Sequence, residues 1–187
     1  MPTATSPHRD YPVATTTGRP LLLLWAILLL AAALSPALLF HRSGSAGLAN
    51  PSAWLGPAIM LLTGAVLHLA FLRQRITLDG TQLDIRSTFY RKTISISALR
   101  MEQARLVDLA EHTELKPTFK TNGFGMPGFQ SGHFRMRGGG KAFCLLTDRS
   151  RVLALPLRDG SMLLLSPEQP RALLDELKRL ADIHAAA

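Results

Sequence analysis

Residues 123–128, Gly-Phe-Gly-Met-Pro-Gly, fit the spacing G-x-G-x-x-G. In dinucleotide-binding loops that spacing lets the backbone approach a pyrophosphate, which sits on the N-terminus of the following helix. The chemistry needs a hydrophobic strand before the loop and a helix after it. Here 115-LKPTFK-120 is a poor strand, and 129-FQSGHFRM-136 carries β-type residues and no helix pattern. Pro127 also removes one N–H that would point at phosphate. An acidic residue some 20 positions on, where a ribose ligand is wanted, would be Asp148, which falls in a turn. The second glycine run, Gly138-Gly139-Gly140-Lys141, lacks the first Gly and the final Ser/Thr of a P-loop and reads as a hairpin turn. Ser131 and His133 are two apart and would share a strand face, but no acidic partner completes a triad. The six His residues are scattered, so no metal site is legible. Cys144, the single cysteine, lies in the apolar run 142-AFCLLT-147 and reads as a buried structural thiol. Glu111 and Glu114 belong to a polar loop. Neither catalysis nor a cofactor is expected.

What does stand out around the glycine-rich segment is charge. Lys116, Lys120, Arg135, Arg137 and Lys141 flank it, and Arg135 and Arg137 alternate with Phe134 and Met136. If the segment is a loop, Phe124, Met126 and Phe129 are its apolar tip. Cations around an apolar tip suit an anionic lipid surface or the acidic patch of a membrane protein partner. Lys120, Phe124, Met126, Arg135, Arg137 and Lys141 are therefore the candidate binding residues. The competing reading packs Phe129 and Phe134 inside a barrel and leaves the cations merely solvated.

The elements that must position these residues divide sharply by composition. Apolar residues make up 47% of the 187-residue chain and charged residues 18%, and the apolar excess is concentrated in residues 20–72. Residues 20–40 and 53–72 hold no Asp, Glu, Lys or Arg. As helices each is roughly 30 Å long, enough to cross a hydrocarbon core. Trp25 and Trp54 lie towards the segment ends, where interfacial anchors belong. Ala33 and Ala37, four apart, could allow close helix contact. His68 is the one titratable group inside either span and reads as a neutral imidazole near an interface. The short, turn-rich linker 41–52 makes the pair an antiparallel hairpin. Arg9 and Arg19 precede it, the linker holds only Arg42, and Arg73, Arg75, Arg86, Arg91 and Lys92 follow. The positive-inside rule then puts both termini in the cytoplasm and the linker in the periplasm. Residues 1–19, rich in Thr, Pro and Ser, read as a disordered tail.

From residue 73 onward the chain reads as a soluble, basic domain. It holds all but three of the 21 Lys/Arg and all but one of the 13 Asp/Glu. Tethered at a bilayer, it meets lipid head groups first, and no nucleic-acid partner is expected. Asp79-Gly80 is a hairpin turn signal between 76–79 and 81–87. Residues 89–99 alternate through Ile94 and Ile96, and a strand is expected around 104–109, then a loop over 113–131. Strands return at 132–138, 141–147, 151–157 and 160–166, separated by Gly-rich and Asp-containing turns, as in an antiparallel meander. Pro156 places its strand at an edge or ends it. Ser166-Pro167-Glu168-Gln169 opens a helix over about 167–183, with Leu173, Leu174, Leu177, Leu180 and Ala181 on one stripe.

The run from Asn122 to Pro170 resembles the bacterial PH-like domain of small membrane proteins. The features shared are Asn122-Gly123, Pro127-Gly128 and Gly132-His133-Phe134, then a Gly140-Lys141 turn, a strand ending in Thr147-Asp148, and the Ser166-Pro167 helix start. The resemblance extends loosely over 76–181. It implies a PH-like barrel of about seven antiparallel strands capped by a C-terminal helix and no catalytic residues, and it does not imply phosphoinositide binding. The expected molecule is a two-helix membrane hairpin carrying a cytoplasmic PH-like interaction or scaffolding module at the inner membrane. The alternative is an accessory subunit of a membrane complex that docks through its hairpin.

Overall fold

The computed structural model describes residues 9–14, 19–48, 51–87, 90–126 and 128–185. The chain divides into a helical unit, Gly18–Leu72, and a β-rich unit built from the segments on either side of it.

In the helical unit, α1 spans Arg19–Leu48 and α2 spans Leu55–Leu72, joined through a 3-10 turn at Pro51–Trp54. Two stretches are long and apolar enough to cross a membrane, Leu21–Arg42 and Pro51–Leu69. The expected linker 41–52 is shorter than read: no breaker follows Phe40 until Gly44, whose φ of 59° interrupts the helix. The helices pack where Gly64 faces Trp25 and Leu28; a Cβ there would lie 2.7 Å from Leu28 Cδ1. One turn further along α2, Trp25 Nε1–H donates to His68 Nδ1 at 3.2 Å, which satisfies the indole donor and one imidazole nitrogen in apolar surroundings. Ala33 and Ala37 are exposed and take no part in this contact, so the close approach rests on Gly64 instead.

In the β-rich unit, one sheet has the order β1-β2-β3-β4, comprising Arg9–Tyr11, Arg75–Asp79, Gln82–Ser87 and Tyr90–Ser95, all antiparallel. The strand β1 corrects the reading of 1–19 as a disordered tail. Residues 9–11 pair with 76–78, Thr77 Oγ1 donates to Asp10 Oδ1 at 3.0 Å, and Val13 is buried against Pro167. Composition hid this because a sheet edge asks a strand only for backbone groups and one or two contacts. Residues 1–8 and 15–18 of that expected tail lie outside the described residues.

The second sheet has the order β5-β9-β10-β8-β7-β6. In chain order these are β5 Arg105–Val107, β6 Pro117–Met126, β7 Phe129–Met136, β8 Lys141–Leu146, β9 Val152–Pro156 and β10 Met162–Leu165. The expected antiparallel meander fails at one place: β10 inserts between β8 and β9 and runs parallel to β8. Burial explains it. Residues 142–146 and 163–165 are buried without alternation, and strands apolar on both faces belong in a sheet's centre. Pro156 ends its strand, as read.

One face of this sheet carries Phe134, Ala142, Cys144, Leu146, Val152, Ala154 and Leu164, covered by Leu109 and Leu115. Burial pushes the Cys144 thiol far up, which makes it inert. The other face turns towards the four-stranded sheet, where Ser87 Oγ and Ser131 Oγ share a hydrogen bond at 2.6 Å. The helix α3, Pro170–Ala185, packs on β5, β9 and the turn at Ile96–Ala98 through buried Leu173 and Leu177. Ser166 does not cap it; its hydroxyl donates to the Asp148 carbonyl at 2.6 Å. Among the described residues the two ladders share no strand pairing and are joined only by the isolated bridges Leu99–Leu157 and Val13–Pro167, so the expected barrel is two apposed sheets and not a closed ring.

Candidate functional site

The segment expected as a loop over 113–131 is mostly strand. β6 and β7 form a hairpin whose turn includes Gly128, at φ 82°; Pro127 lies outside the described residues. The glycines explain how so poor a strand sequence pairs. Gly123 stands opposite Gly132, and a Cβ on Gly123 would lie 2.7 Å from the Ser131 carbonyl oxygen and 3.0 Å from the Phe134 ring. The bare backbone lets the hairpin close over that aromatic, which is itself buried in the core. A strand, not a helix, follows Gly128, so no helix N-terminus awaits a phosphate. Ser131 and His133 do share a face, but Ser131 is fully buried and engaged by Ser87, while the His133 ring packs edge-on against Phe143 at 5.1 Å. Burial, aided by the positive charge of Lys92, holds His133 below its ordinary pKa.

The register sorts the candidate residues into two groups. Lys120 stands opposite Phe134, Phe119 opposite Arg135, and Arg135 opposite Lys141. The Arg137 amide donates to the Lys116 carbonyl at 2.9 Å. All five cations are therefore gathered at one end of β6–β7–β8. Phe124 and Met126 are at the other end, beside the hairpin turn; Met126 is six residues, about 20 Å, along the strand from Lys120. Both are half-buried, and the Phe124 ring lies 6.2 Å from that of the buried Phe129. The cations do not surround Phe124 and Met126. The exposed apolar side chain at the cationic end is Phe119, 67% exposed and directly opposite Arg135. Reading 115–120 as a poor strand concealed it. The available signal was the alternation of Phe119 with Thr118 and Lys120.

Electrostatically this end is unbalanced. Residues 115–147 contain no Asp or Glu, and among the described residues none of the five cations has a carboxylate within ion-pair distance. Arg135 and Lys141 are like charges directly across a ladder, an arrangement that costs stability. Lys92, from the inner face of β4, adds a further cation above the Phe143 ring, 5.7 Å from its centroid. The surface is open. Clefts of the β unit lie elsewhere, one among Leu99, Glu102, Arg158, Lys178 and Asp182 and another among Leu106, Asp108, Arg151, Gln169 and Arg171.

Residues 74–181 match the bacterial PH domain family. The chain belongs to that family. No curated protein and no solved structure matches it. The match covers strands β2–β10 and most of α3, while β1, contributed from before the helical unit, falls outside it. PH-like domains are typically non-catalytic interaction modules, in keeping with a site made of surface cations and an exposed aromatic.

Proposed function

We propose that this chain is a PH-like interaction module anchored in the bacterial inner membrane by its helical hairpin, and that its working surface is the cationic end of β6–β8. The observation that carries the reading is the gathering of Lys116, Lys120, Arg135, Arg137 and Lys141 at one end of β6–β8, with Phe119 exposed among them in the sequence and no carboxylate in residues 115–147. Cations left without acids keep their full attraction for an anionic partner.

Anchoring is supported by the helices themselves. No residue in the α1 window and 11% of those in the α2 window are buried, whereas a core helix of a soluble domain hides a continuous stripe. Topology agrees. β1 precedes the hairpin and β2 follows it, yet the two strands pair. A segment that crosses twice returns to the side it left, as that pairing requires. The basic flank from Arg73 makes that side the cytoplasm.

A photoreactive residue in place of Phe119, in intact cells, should capture neighbours, and Arg135→Gln, Arg137→Gln and Lys141→Gln together should abolish the adducts. The same probe at Arg86, on the outer face of the four-stranded sheet, sets the background. Labelling at Phe119 no stronger than at Arg86 would sink the assignment of the surface. A cytoplasm-only reporter fused after Ala187 should be active; silence in a well-expressed fusion overturns the orientation.

A further inference from the structure

We infer that the occupant of this surface is an extended acidic segment of another protein, added as a further strand to the free edge of β6. The inference rests on the working surface proposed above and names what it binds. Three observations bear on it. First, among the described residues β6 ends the six-stranded sheet and has a strand partner on one side only. At ten residues it is far longer than the three-residue edge strands β1 and β5, and short edges are the usual protection against added strands.

Second, the cations wrap this edge instead of lying on one plane. Lys120 shares a face with Phe134, whereas Phe119, Arg135 and Lys141 share the opposite face. A flat bilayer would meet one face at a time. A strand laid beside β6 sends successive side chains to both faces, so its acids approach Lys120 on one and the β7 cation Arg135 on the other. Third, a second copy of this chain would bring an equally acid-free edge against the first and so no carboxylate to offset its cations. Register shifts at Pro117/Phe119 and Lys120/Asn122, together with Lys120 itself, discourage indiscriminate pairing. They select a partner whose acids offset the charge.

The test uses the full chain in nanodiscs of zwitterionic phosphatidylcholine and a peptide of about eight Glu and Val residues, the length of an ordinary strand, with acids on both faces. A second peptide of the same sequence has alternate backbone nitrogens methylated, which keeps the charge and removes ladder donors. The unmodified peptide should bind about tenfold more tightly than the methylated one and should slow amide exchange along residues 118–126. Lys120→Glu, an exposed change that leaves the sheet intact, should weaken it. Equal binding of both peptides, or protection elsewhere than β6, overturns strand addition. Binding only to nanodiscs containing phosphatidylglycerol, lost with the Arg135, Arg137 and Lys141 changes, would make the occupant lipid and leave the working surface standing. If neither probe binds, both readings fall.

Discussion

The β-rich unit carries two concentrations of Arg and Lys, and they are built on opposite terms. On the outer face of the four-stranded sheet, Asp84 accepts from Arg91 Nε at 2.9 Å, Arg91 Nη2 at 3.0 Å, Arg86 Nε at 3.1 Å and Thr93 Oγ1 at 3.0 Å. Arg75 meets Asp10 at 3.5 Å. Burial pushes the Asp84 carboxyl up, but the bonds from Arg91, Thr93 and Arg86 outweigh it and hold it below its ordinary pKa. At the β6–β8 end the same residue types have no acid to meet. Where a cation is neutralised it serves the fold; where it is left unbalanced against a like charge, the fold bears a cost that an anionic partner of the kind proposed would remove.

The largest effect should come from the support under the unbalanced end. Phe134→Ala removes the ring beneath Gly123 and is predicted to lower stability by about 3–5 kcal/mol, measured by denaturant unfolding. Intact stability there would separate the hairpin from the core and undo the comparison. Next, the Arg135, Arg137 and Lys141 neutralisation should cost anionic-partner binding about tenfold or more and move stability by less than about 0.5 kcal/mol. A stability loss instead would place these cations with the structural group. Conversely, Asp84→Asn should cost about 1 kcal/mol or less, since its partners are well exposed to water, and should leave partner binding unchanged. The smallest effect concerns His133. Lys92→Met should raise its depressed pKa towards the ordinary value, read by NMR titration. Because the folded value is depressed, its contribution to stability is present above pH 6.5, its unperturbed value, and is lost as pH falls from there through the folded value. A His133 pKa unmoved by Lys92→Met would remove Lys92 from the cationic group.

Much of this was legible in the residues. The two uncharged runs became α1 and α2, Asp79-Gly80 became a hairpin turn, and the leucine stripe from Leu173 became the buried face of α3. Elements that carry their own period or turn chemistry announce themselves. The elements that went unread lack both. β1 is three residues in a Thr- and Pro-rich stretch, and β6 pairs through glycines whose value appears only against Phe134. The parallel placement of β10 beside β8 has no local signature, because burial on both faces is a property of the assembled sheet.

The candidate site divides in the same way. Sequence by itself determined which side chains were available: the cations, the lack of acids from 115 to 147, and the lengths of the apolar helices. Only the tertiary structure decided which of them meet. Antiparallel pairing brings Lys120, Arg135 and Lys141 to one end of the sheet although they are up to 21 positions apart, sets Phe119 opposite Arg135, and carries Phe124 and Met126 to the far end of the same strand. The reason is that strand neighbours are chosen by register, and here register follows from where glycine allows two backbones to close over one buried ring.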